Sequence, residues 1–111
     1  MRAGHIGHCP GVEVRMERQA LQDRWFELTR EVMPSLADER GWPVRFDHCF
    51  QRILLDHAAG GPWREHIEAP AYAKTTDAQL RAAIELGEKA VAGEADLAAL
   101  NRRSLEWRGK L

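Results

Sequence analysis

The sequence predicts an all-α fold, a compact bundle of about four helices behind a disordered N-terminal leader. Three observations lead there. Apolar residues recur every three or four positions from Glu17 almost to the end, the spacing of one helix face. Glycine and proline punctuate those runs at 41, 43, 60–62, 93 and 109. Nowhere does an alternating stretch stand between hairpin turns.

The first fifteen residues hold three glycines, one proline and two histidines, with no periodic pattern. They are expected to be disordered, as unanchored termini commonly are. Two explanations stay open: a flexible arm on the protein, or a start assigned too early, with Met16 as the true first residue. The expected division is therefore a leader at 1–15 and a single helical domain at 16–111.

At Met16 the composition turns abruptly helix-forming. Leu21, Trp25, Leu28 and Val32 form one stripe, widened by Phe26 and Met33. Pro34 must kink or restart this helix, because it cannot donate the interior hydrogen bond. A short piece continues to Arg40, and Gly41 is a natural stop. The second helix is expected from about Pro43 to Ala59, with proline tolerated in its first turn. Phe46, Phe50, Ile53, Leu54 and His57 then share one side. Arg45, His48, Arg52 and Asp56 share the other, with Cys49 at the border. Gly60, Gly61 and Pro62 end it. Residues 63–75 read as the longest loop of the domain, and long loops often carry function. The third helix opens on a capping box, Thr76 with Gln79, and carries Leu80, Ile84, Gly87 and Val91 to a break at Gly93. The fourth runs from Glu94 with Leu97, Leu100, Ser104 and Trp107, and stops at Gly109.

Composition narrows the functional classes. The 111 residues are 44% hydrophobic and 30% charged, with a formal charge of −1. That balance suits a soluble globular domain and gives no overall electrostatic handle for nucleic acid or acidic membrane. No stretch approaches the roughly 20 apolar residues of a membrane span. Two cysteines, Cys9 and Cys49, build no disulfide framework, which points to a reducing cytoplasm. Phosphate-loop, dinucleotide and nucleophile-elbow signatures are absent, and no cofactor is implied.

The densest reactive stretch runs from Arg45 to His57. Arg45 and Arg52 flank Cys49 by four and three residues, and nearby cations favour a thiolate nucleophile. His48, about 100° around the helix, is a poor base for that thiol. A small core thiol is the simpler account of Cys49. His48, His57 and His66 follow one another at intervals of nine, which turns a helix by about 180°. His48 and His57 therefore cannot share a metal, and help from His66, His5, His8 or Cys9 fits no standard zinc spacing. No metal is expected. His57 reads as a core histidine bonded to another helix.

In the loop, Trp63 and Tyr72 offer flat walls with polar edges, next to Arg64, His66 and Lys74. The closing segment after Asn101 gathers Arg102, Arg103, Arg108 and Lys110 around Trp107. Such a patch could meet phosphate and a stacked base, but cations also favour a helix C-terminus.

The run Arg45-Phe-Asp-His-Cys-Phe50 with Arg52 and Ile53, then Gly60, Gly61 and Trp63, and finally Asn101 to Leu105 with Trp107, resembles small bacterial proteins of unassigned function, some labelled GNAT-type N-acetyltransferases. The likeness spans about Met16 to Lys110. It implies acyl transfer as an activity and assigns no catalytic residue. The pyrophosphate turn [QR]-x-x-G-x-[GA] of that family does not occur in the chain.

Two functional readings follow. The first is a helical binding or regulatory module for a partner protein or a small anionic ligand, with Arg45, Arg52, Asp56, Trp63, His66 and Tyr72 as its binding residues. The second is a small enzyme, an acyl transferase or one using Cys49, with His48 beside it. A third, nucleic-acid binding through the C-terminal basic segment, has the least support.

Overall fold

The structure is a computed structural model and describes residues 10–110, with side chains from residue 16 onward. It is all-α: helices α1 (Pro10–Glu27), α2 (Met33–Arg40), α3 (Asp47–Ala59), α4 (Ala71–Lys74), α5 (Asp77–Ala92) and α6 (Leu97–Trp107) follow in order. A π-helical turn, Leu28–Val32, joins α1 to α2, and a 3-10 turn, Trp63–Glu65, opens the loop. There is no strand among the described residues.

The first rod begins at Pro10, six residues before the expected domain boundary at Met16. Proline suits a first helical turn, where its missing N–H has no partner to lose. The rest of the expected leader, residues 1–9, lies outside the described residues. Pro34 is accommodated without a break. The Met33 N–H reaches back five residues to the Leu28 carbonyl, the wider π register absorbing the proline ring that would press on the preceding turn. The helix then ends at Gly41, whose φ of 64° makes it a left-handed cap.

α3 starts at Asp47, four residues later than the sequence suggested, because Phe46 is extended. Pro43 favours extended backbone before it, and Asp47 supplies a negative charge at the helix start. Phe46 is accordingly no core residue: it is 64% exposed and stacks on His48. The capping box at α5 is formed as expected, Gln79 N–H to Thr76 Oγ1 and Thr76 N–H to Gln79 Oε1. α6 starts at Leu97 rather than Glu94, since Asp96 accepts from the N–H groups of Ala98 and Ala99.

α3 is the central helix. It packs on α5, on α6, on the π turn and on the loop's 3-10 turn, whereas α5 also meets α1. Trp25, Leu28, Met33, Phe50, Ile53, Leu54, Leu80 and Leu97 are buried in one cluster. Where α5 crosses α3, Gly87 admits the closest approach: a Cβ built there would stand 2.6 Å from Leu28 Cδ2 and 3.0 Å from Leu54 Cδ1. No helix of the described residues is long and apolar enough to cross a membrane.

Candidate functional site: an arginine-lined cavity

Three separated stretches meet beside α3 and enclose a cavity of about 440 Å³. α3 contributes His48, Gln51, Arg52 and Leu55, spaced as one helix face. α1 and the π turn give Trp25, Phe26 and Arg30; the loop gives Trp63, Arg64 and Pro70; α4, a helical turn within the expected loop, gives Ala71 and Tyr72; and Arg108 follows α6 directly. Among the described residues four guanidinium groups line it and no carboxylate does.

Behind the lining lies a polar network centred on Asp56. Asp56 is fully buried. Its Oδ2 accepts from Arg108 Nε at 2.7 Å and from Ser104 Oγ at 2.6 Å. Its Oδ1 accepts from Arg108 Nη2 at 2.8 Å and from the Trp63 backbone N–H at 2.9 Å. The arginine fork is therefore bidentate, and one carboxylate fixes two cavity walls, Trp63 and Arg108. Burial pushes the Asp56 carboxyl up, but the hydrogen bonds from Arg108, Ser104 and Trp63 outweigh it and hold the group below its ordinary value. Its bonds to Asp56 raise Arg108 in turn.

Arg52 is held differently. Nη1 donates to Ser104 Oγ at 2.8 Å and Nη2 to Asn101 Oδ1 at 2.7 Å, both neutral oxygens. Among the described residues no carboxylate comes within ion-pair distance of it. Desolvation by burial lowers its pKa, the Arg108 charge adds to the fall, and the Asp56 charge behind Ser104 does not offset it.

The aromatic walls are braced by cations. Arg30 lies 4.0 Å over the Phe26 ring, which meets Tyr72 at 5.2 Å, and Arg64 lies 5.3 Å over Trp63. Arg18 anchors the wall bearing Tyr72 by donating to the Tyr72 carbonyl, Thr75 Oγ1 and Asp77.

Of the residues singled out in the sequence, Arg52, Trp63, Tyr72 and His48 come together on this cavity. Four do not line it. Arg45 precedes α3, is 68% exposed and faces Asp38 at 3.3 Å. His66 is exposed in the loop, its ring beside Gly61. Asp56 is no solvent-facing ligand residue but the buried counter-ion behind the wall, and it pairs with Arg108 rather than with Arg52. Cys49 is half-buried next to Arg52, outside the lining.

His57 donates from Nε2 to the Leu100 carbonyl at 2.9 Å and packs edge-on against Trp107, tying α3 to α6. In the C-terminal basic segment, Arg108 is taken up by Asp56 and Arg103 lies on Trp107 beside Glu106. Among the described residues no group of three potential ligands is placed to hold a metal; His5, His8 and Cys9 lie outside them.

Sequence reasoning missed Arg108, Arg30, Gln51 and Phe26. Phe26 and Gln51 carried a usable signal, one beside the core stripe and the other a turn from His48 and Leu55. Arg108 carried none, since its partner is 52 residues away. Compared with protein-family models, curated proteins and solved structures, the chain matches none.

Proposed function

We propose that this chain is a helical binding module whose ligand is a small organic anion held in the arginine-lined cavity. The observation that carries the reading is Arg52: a half-buried guanidinium, fixed in place by the neutral oxygens of Ser104 and Asn101, with no carboxylate within 4.0 Å among the described residues. A cation so prepared is oriented before any ligand arrives, which limits the entropy lost on binding. About 440 Å³ falls within the range of small-molecule pockets, roughly 300–1,000 Å³. Trp63, Phe26 and Tyr72 give the apolar walls such pockets usually have.

Among the described residues the cavity lining holds no Cys, Ser, Thr or Lys: Cys49 is outside it, and His48 sits on its exposed rim against Phe46. The binding reading therefore accounts for more of the site than catalysis through Cys49 does. Thermal unfolding with and without millimolar 1-naphthoate or phenyl phosphate tests it. The ligand is expected to raise the melting temperature of the protein and to leave Arg52→Glu unmoved. An equal rise in Arg52→Glu would place the site elsewhere.

A further inference from the structure

We infer that the cavity selects a phosphate monoester carried on a flat aromatic or heteroaromatic group, an inference that rests on the anion-binding reading above. The argument is one of charge. Four guanidiniums line the cavity, yet a single buried carboxylate stands behind them: Asp56 pairs directly with Arg108 and reaches Arg52 only through Ser104. Arg30 has Asp47 no nearer than 3.9 Å, at an exposed position where water screens the pair. Arg52 and Arg64 have no carboxylate within 4.0 Å among the described residues. At least two positive charges thus face the cavity unanswered.

A carboxylate brings one negative charge. A phosphate monoester brings about −1.5 to −2 at pH 7, on three acceptor oxygens. Guanidinium forks suit those oxygens, and the doubled charge sits in one compact group. The rest of the ligand has to be flat. Trp63 with Arg64 over its ring, and Phe26 with Arg30 over its ring and Tyr72 beside it, line the same space as planar side chains.

Isothermal titration calorimetry of the full chain at neutral pH tests the inference with four probes of one aromatic size: phenyl phosphate, methyl phenyl phosphate, benzoate and phthalate. Phenyl phosphate is expected to bind at least about tenfold more tightly than the other three, the factor that one further charge-assisted hydrogen bond supplies. Arg52→Gln and Arg64→Gln are each expected to weaken it severalfold. Arg64 is exposed and makes no side-chain hydrogen bond or ion pair among the described residues, so that variant keeps the fold, which its melting temperature verifies.

Benzoate, the diester or phthalate binding as tightly as phenyl phosphate would overturn the inference while leaving the anion site in place. Unchanged phenyl phosphate affinity in both variants would overturn it as well. Binding of none of the four would remove the anion-binding reading itself. Adenosine 5′-monophosphate and a phosphotyrosine pentapeptide, titrated alongside, separate a free nucleotide from a protein-borne phosphate as the source. Whichever binds more tightly names it.

Discussion

Helix α3 meets its two main neighbours in opposite ways. Towards α5 the contact is apolar and close: Leu54 and Leu28 press on the bare backbone of Gly87, with Ile53, Leu80 and Ala83 around them. Towards α6 it is polar and specific: Asp56, Ser104, Arg52, Asn101 and Arg108 form one network, the His57–Leu100 bond adds a separate tie, and no buried side-chain polar atom among the described residues is left without a partner. The first contact stabilises the fold without regard to pH or salt. The second orients side chains for the cavity, and its strength depends on one buried carboxylate keeping its charge.

Breaking the polar contact is expected to have the largest effect. Asp56→Ala strands Arg108, Ser104 and the Trp63 N–H, and loss of one partner of a buried pair costs about 3–5 kcal/mol. Urea unfolding would read this as a large drop in midpoint. A loss under about 1 kcal/mol would mean that the network is incidental to stability.

Acid should act on the same contact more gradually. The folded state holds the Asp56 carboxyl below its ordinary value, so the unfolded chain takes up a proton first as pH falls. The stabilisation is therefore complete above about pH 4, the unfolded carboxyl's range, and drains away as pH drops through the folded value. Urea midpoints followed down from neutral pH should show this acid slope, and Asp56→Asn should lose that part of it.

The apolar contact is tested by filling its gap. Gly87→Val would drive two methyl groups into Leu28 and Leu54, both fully buried, and overpacking of this kind costs about 1–3 kcal/mol. Its effect should not change with pH. Arg45→Ala marks the bottom of the scale. Its pair with Asp38 is exposed on both sides, so neither melting temperature nor anion binding should change measurably.

The same division explains what was legible in the sequence. The stripe Leu21, Trp25, Leu28 and Val32, the capping box at Thr76 and the stop at Gly93 are local patterns, and each appears where its spacing places it. The polar contact has no local pattern. Asp56 falls on the charged side of α3 by helical phase and so reads as solvated; Ser104 and Arg108, 48 and 52 residues downstream, and the Trp63 N–H take up its carboxylate. Phe46 and Arg45 were placed on a helix because Pro43 can open one, whereas the chain stays extended until Asp47. Arg52, Trp63 and Tyr72 were readable as a loop folded over one helix face. That Arg52 would be fastened by neutral oxygens, and Arg108 by the carboxylate, was not.

The central claim is that Arg52, not Arg45, receives an anion in the cavity. Following arginine Nε–Hε resonances by two-dimensional ¹H–¹⁵N NMR, with assignments from single substitutions, during a phenyl phosphate titration tests it most directly. The account predicts that the Arg52 and Arg64 signals shift in a saturable way while the Arg45 signal stays fixed. Saturable movement of Arg45 with Arg52 unmoved would contradict it.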